Sequence, residues 1–164
     1  MKYIEAPAYI SECGFSDDGI TSENSIFLAG SITGAWDWQK EVADKLIHKW
    51  NVFNPRRENY NGLVPNAERE QITWEYKALR FCDNVLFYFS HETLAPITLF
   101  EYGKMLKSHK NLFVCIHSEY KRKNDVIIQT NLEHVFGRDN FGPAKHHEFC
   151  DDLDSLVEAV NNFK

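Results

Sequence analysis

The sequence predicts an α/β domain organised on an open, doubly wound parallel sheet. Short apolar runs near residues 25, 51, 85 and 112 alternate with longer amphipathic stretches, the pattern of strands joined by helical crossovers. The run Val85–Phe89 is unbroken apolar and aromatic, which suits a strand covered on both faces. Gly30-Ser31, Asn54-Pro55 and Ser90-His91 follow three of these runs directly, placing loops at strand carboxyl ends.

The chain has 164 residues, enough for one domain that buries its own core. Its 12 Phe and 7 Tyr rule against disorder. A net charge of −6 argues against a broad nucleic-acid surface and leaves a small-molecule partner open. Cys13, Cys82, Cys115 and Cys150 are scattered, with no zinc spacing, and a reducing cytoplasmic location is the simplest reading. No apolar run approaches the roughly 20 residues of a membrane span, so no membrane partner is expected.

Residues 1–24 read as an ordered arm outside the core, in which Tyr3, Ile4, Tyr9 and Ile10 pack on the surface and Asp17-Asp18-Gly19 turns. Residues 25–164 form the domain. Ser25–Leu28 is the first strand, followed by Ala29-Gly30-Ser31-Ile32-Thr33-Gly34, whose backbone N–H groups can face a ligand. This is neither G-x-G-x-x-G nor a P-loop. Trp36–Trp50 is an amphipathic helix with Trp38, Val42, Ala43, Leu46, Ile47 and Trp50 on its inner stripe. Trp36 precedes the stripe, so it either roofs a ligand or caps the packing.

Asn51–Phe53 is a short strand leading into Asn54-Pro55-Arg56-Arg57 and a long loop to Ala67. Two arginines there can fork onto a phosphate or carboxylate, or pair with surface acids. Glu68–Phe81 is the next helix, with Ile72, Tyr76 and Leu79 as its apolar stripe and Glu75 beside it. After Val85–Phe89 comes the polar loop Ser90-His91-Glu92-Thr93. Pro96 then opens a helix to Ser108 on which Ile97, Glu101 and Met105 share a face, and Gly103 permits close backbone approach. Glu101 is either a solvated flank residue or a chemical group near the central strand. Asn111–His117 is a further strand. Val126–Phe136 is a helix, Gly137–Glu148 a loop with His146-His147 exposed, and Leu153–Phe163 a last helix opened by Asp151-Asp152.

With right-handed crossovers the four strands take the order 2-1-3-4, the flavodoxin-like arrangement, with room for a short fifth. That order gathers Gly30-Ser31, the loop after Ser90, and Glu101 at one crevice bordered by Arg56 and Arg57. The crevice offers carboxylates, hydroxyls and indoles but no metal set, and no G-x-S-x-G elbow. Two acids beside aromatic walls suit glycosyl transfer, in which one carboxylate attacks the anomeric carbon and another group handles the leaving-group proton.

The segments FLAGSIT, NPRR, QITWE, L-x-x-C-D-N-V-L-F-Y-F and ETLAPITLFEYGK together resemble the nucleoside 2-deoxyribosyltransferase family, in its transferase-like branch, over Ser25 to about Gln129. The resemblance implies a flavodoxin-like fold and no cofactor. It implies Glu101 as the nucleophile in E-x-G, and Glu75 as the acid that orients substrate or handles the base proton. Gly30, Ser31 and Ile32 would lie by the sugar, and Trp36 and Trp74 would stack on the base. Asn54, Arg56 and Arg57 would hold a phosphate or another acidic group. The better-known transferases carry an acid or serine six positions before the nucleophile. Ala95 stands there in this chain, and Glu92 or Thr93 takes that role unless the substrate differs. Expected partners are a nucleoside or nucleotide and a free base, in a homo-oligomer whose neighbouring copy completes the pocket. Two other readings remain open: a non-catalytic nucleotide-binding or sensor module, and a nucleosidase acting on ribosyl substrates.

Overall fold

The computed structural model describes residues 1–7, 19–58, 60, 62–137 and 146–163. Among them the elements run β1 (Tyr3–Glu5), β2 (Ser25–Gly30), α1 (Trp38–Leu46), β3 (Asn51–Asn54), α2 (Ala67–Phe81) and β4 (Asn84–Phe89). There follow α3 (Pro96–Met105), β5 (Asn111–Ile116), α4 (Lys123–Phe136), β6 (His146–Cys150) and α5 (Leu153–Asn162). The strands form one all-parallel sheet in the order β1-β3-β2-β4-β5-β6. The predicted order of four strands is preserved as β3-β2-β4-β5. A strand is added at each edge, so the sheet has six strands where four and a short fifth were expected. The chain divides into two compact units, Met1–Leu28 with Trp38–Val85 and Ala29–Asp37 with Leu86–Lys164, which are taken in turn.

In the first unit β3 is flanked by β1 and β2. Ile4 pairs with Phe53 on one side, and Phe27 with Phe53 on the other. Part of the expected irregular arm is therefore an edge strand, with Ile4 and Ala6 in the core. Tyr9, Ile10, Cys13 and the Asp17-Asp18 turn lie outside the described residues. Side-chain amides tie the strand starts together. Asn51 Nδ2 donates to Asn24 Oδ1 at 2.7 Å, and Asn84 Nδ2 donates to the Ser25 carbonyl at 3.0 Å.

Helix α1 is shorter than predicted, Trp38–Leu46, with Trp38, Val42, Ala43 and Leu46 buried. Trp50 is buried from the turn that follows it. Helix α2 turns a different face inward than the sequence suggested. Ala67, Trp74, Ala78 and Leu79 are buried, whereas Ile72 is 57% exposed and Tyr76 is likewise exposed. The reason is Trp74, whose indole has ring contacts with both Phe27 and Phe53 at 6.3 Å and so fixes the helix rotation.

In the second unit β5 and β6 run in parallel register, with Phe113 opposite Glu148 and Cys115 opposite Cys150. The predicted exposed loop at His146-His147 is thus corrected to an edge strand. His147 is half-buried, with its Nε2 2.7 Å from the Tyr102 hydroxyl. Residues 138–145 of that expected loop lie outside the described residues.

Helix α3 buries Thr98 and Tyr102, with Phe87 and Phe89 edge-on to the Tyr102 ring. The predicted apolar stripe of Ile97, Glu101 and Met105 is not the core face: Ile97 is 64% exposed and Glu101 is partly exposed. Helix α4 starts at Lys123, earlier than expected, and buries Val126 and Thr130. Helix α5 is capped by Asp152, whose Oδ1 accepts from Ser155 N at 2.7 Å, and buries Leu156, Val157 and Val160.

Candidate functional site

In the second unit the sequence-named residues sit on two loops and one helix. Gly30 ends β2, Ser31 is buried just beyond it, and Ile32 is half-buried. The loop then reverses at Gly34, whose φ of 78° is natural for glycine; a Cβ there would meet Thr93 Cγ2 at 3.6 Å. Trp36 follows and is 43% exposed.

The loop after β4 meets this one through Glu92. Its Oε2 accepts from Ser90 Oγ at 2.8 Å and from Trp36 N at 3.3 Å. Ser90 is fully buried and its Oγ also accepts from Glu92 N at 3.2 Å, so hydroxyl and carboxylate lock each other. Thr93 Oγ1 accepts from Ala95 N at 3.0 Å. Ala95 stands at the start of α3 in the left-handed region, φ 43° and ψ 61°, a costly conformation for a residue with a Cβ. Pro96 then opens the helix that carries Glu101 in its second turn. The structure therefore brings Trp36, Glu92 and, through Gly34, Thr93 into one cluster.

In the first unit Asn54, Arg56 and Glu75 belong to a chain of amide contacts. Asn54 Oδ1 accepts from Arg56 N at 2.9 Å, and Asn54 Nδ2 donates to the Tyr3 hydroxyl at 2.7 Å. Arg56 Nε donates to Oε1 of the fully buried Gln39 at 3.1 Å. Gln71 Nε2 donates both to the Pro55 carbonyl at 2.6 Å and to Glu75 Oε1 at 2.8 Å. Burial raises the Glu75 carboxyl above the ordinary 4.5, and the Gln71 bond works against that rise.

Arg57 is committed differently. It pairs with Glu70 at 2.6 Å and lines a cleft of about 440 Å³ with Glu5, Glu58 and Glu70. The expectation that Trp74 stacks on a ligand is corrected, because its indole is buried in the core against Phe27 and Phe53.

Sequence reasoning missed Gln39, Gln71 and Tyr88. Gln71 stands four residues before Glu75 on a helix, a spacing at which side chains meet. Gln39 and Tyr88 carry no such signal, since an amide in a helix and a tyrosine in a buried strand are unremarkable by pattern. Among the described residues no group of three or more His, Cys, Asp or Glu is assembled that could hold a metal ion. No described helix is long and apolar enough to cross a membrane.

A family model described as nucleoside 2-deoxyribosyltransferase like matches residues 23–120, more than half of the chain. The chain belongs to that family. A search of curated proteins finds no match. The matched segment runs from the start of β2 to the end of β5, and so contains both loops of the second unit, the amide chain between Asn54 and Glu75, and Glu101. Small nucleosides are the substrates that this family implies.

Proposed function

We propose that this chain cleaves the N-glycosidic bond of 2′-deoxynucleosides or their 5′-monophosphates and passes the deoxyribosyl group to a second base or to water. The ionised Glu101 carboxylate attacks C1′, the bond from C1′ to the base nitrogen breaks, and the base leaves with a proton from Glu75. An incoming base or water then attacks C1′, gives its proton to Glu75, and releases Glu101 as carboxylate. The observation that carries the reading is the Glu75 carboxyl. Burial raises its pKa, the direction needed for a proton donor near neutral pH, and it lies in the same family-matched segment as Glu101.

Gly30, Ser31 and Ile32 border the sugar in this scheme, Trp36 covers the base, and Glu92 or Thr93 meets a sugar hydroxyl. Arg56 holds a phosphate or another acidic group, whereas Asn54 is buried with both amide atoms engaged and acts by fixing the Arg56 backbone, and Arg57 pairs with Glu70. The exposed apolar residues Ile97 and Phe100 on α3, with Ile128, Leu132 and Val135 on α4, support the homo-oligomer that family membership implies.

The test is incubation with deoxynucleosides and their monophosphates, with and without a second base, followed by chromatography. Base exchange or base release by the wild type, lost by several powers of ten in Glu101→Ala, is the expected result. Full turnover by Glu101→Ala, or binding seen by thermal shift without base release, overturns the proposal.

A further inference from the structure

Four tryptophans occur in the chain, and three of them, Trp38, Trp50 and Trp74, are buried. Trp36 is the exception, and it is exposed without being loose. Its backbone N–H is taken by the Glu92 carboxylate at 3.3 Å, and that carboxylate is fixed in turn by the buried Ser90 hydroxyl at 2.8 Å. Its side chain hydrogen-bonds the hydroxyl of Tyr88, a residue buried in β4. The indole N–H is the only polar donor on that ring, so the bond turns the N–H edge toward the sheet. Gly34, with its positive φ, lets the loop return to this contact.

An exposed indole gains little from packing, and fixing its backbone and ring costs conformational freedom. A planar ligand meets such a ring without having to order it. The Glu92 carboxylate behind the Trp36 amide disfavours an anion at this place, so the matching ligand is flat and uncharged or cationic. We propose that Tyr88 and Glu92 are positioning residues that hold Trp36 as a preset stacking platform for the base of the substrate, and not for its phosphate. The inference rests on the nucleoside reading above for the identity of the ligand.

The position of Trp36 makes it readable. Selective excitation of tryptophan, with free adenine, guanine, cytosine and thymine as probes, is carried out on the Glu101→Ala variant so that no turnover intervenes. At least one base is expected to give saturable quenching and to be retained in equilibrium dialysis, retention is expected to fall at least tenfold in Trp36→Leu, which has no aromatic face, and inorganic phosphate is expected to give neither signal. Tyr88→Phe and Glu92→Met are expected to weaken base binding roughly three- to tenfold and to raise acrylamide quenching of Trp36. Glu92→Gln, which keeps an acceptor oxygen, restores near-parental values.

Base binding by dialysis unchanged in Trp36→Leu, or equal in Tyr88→Phe, Glu92→Met and the parent, overturns the platform. Failure of any base to quench does the same. The two proposals fail separately. Full turnover by Glu101→Ala removes the covalent scheme and leaves base binding to Trp36 intact. Unchanged base affinity by dialysis in Trp36→Leu removes the platform and leaves Glu101 chemistry standing.

Discussion

Gln71 and Glu75, one turn apart on α2, are joined by a 2.8 Å hydrogen bond from the Gln71 amide to the Glu75 carboxylate. The same amide nitrogen also donates to the Pro55 carbonyl, which can only accept, so the orientation of the amide is fixed. Donation to a carboxylate favours its charged form and opposes the rise that burial imposes on Glu75. Gln71→Met removes the donor and keeps the bulk, so the Glu75 pKa rises further. If Glu75 delivers the proton to the leaving base, its acid form then persists to higher pH. The basic limb of kcat/KM against pH is expected to move upward in Gln71→Met. An unmoved limb would show that Glu75 is not the group titrating.

The Glu75 carboxyl also gives a stability prediction with a definite sign. Its folded pKa is raised, so the folded chain holds that proton more tightly than the unfolded one. The favourable contribution is complete below the ordinary value of 4.5 and is lost as pH rises through the folded pKa. Glu75→Gln never ionises at this position. Urea unfolding is expected to show the variant gaining on the wild type between pH 4 and pH 7, and a difference independent of pH would contradict the burial of Glu75.

His147 behaves in the opposite sense. Thr130 Oγ1 donates to the Val126 carbonyl at 2.6 Å, which leaves it to accept from the Tyr102 hydroxyl at 2.8 Å. The Tyr102 oxygen then accepts from His147 Nε2 at 2.7 Å, which defines the neutral Nε2–H tautomer. Burial, with His134 and His146 nearby, lowers the His147 pKa to about 4. Its contribution to stability is full above pH 6.5 and is lost as pH falls from there through about 4. The loss is at most about 3 kcal/mol, and solvent screening of the half-exposed ring brings it toward about 2 kcal/mol. Thermal unfolding of His147→Gln across that window is expected to be flatter than that of the wild type.

Much of this was legible because strands buried on both faces announce themselves. Val85–Phe89 and Leu112–Ile116 are apolar without interruption, and both are central strands. Helical periodicity was a weaker guide, since it marks stripes but does not say which stripe meets the sheet. On α2 the aliphatic and aromatic stripe of Ile72 and Tyr76 lost to the bulk of Trp74, and on α3 Ile97 lost to Tyr102. The edge strand His146–Cys150 has no apolar alternation to read, because pairing on one side alone leaves it half-exposed. Within the candidate site the carboxylates were visible as isolated letters. The Gln39, Gln71 and Tyr88 contacts depend on distances that only the folded chain sets.

Trp74 separates a packing role from a binding role by magnitude. It is buried against Phe27 and Phe53, so Trp74→Ala is expected to cost about 3–5 kcal/mol in chemical denaturation. Trp36→Ala, on an exposed indole, is expected to shift stability by no more than about 0.5 kcal/mol. Comparable losses in the two variants would mean that Trp36 is a packing residue as well.

Gly103 lies in the middle of α3, two residues after Glu101, and was expected to permit a close backbone approach. In the structure a Cβ placed there meets nothing within 4 Å, and the residue is exposed. Alanine in an exposed helix interior is favoured over glycine by about 1 kcal/mol. Gly103→Ala is therefore expected to raise the unfolding free energy by roughly that amount, measured in urea. Activity supplies the second half of the argument. If only the folded chain surrounds this position, kcat/KM for base exchange stays within about twofold of the wild type, a change worth less than 0.5 kcal/mol. A variant that gains stability yet loses turnover tenfold would instead mean that substrate or a second copy approaches the α3 backbone beside Glu101, the place where a methyl group would then stand in the way.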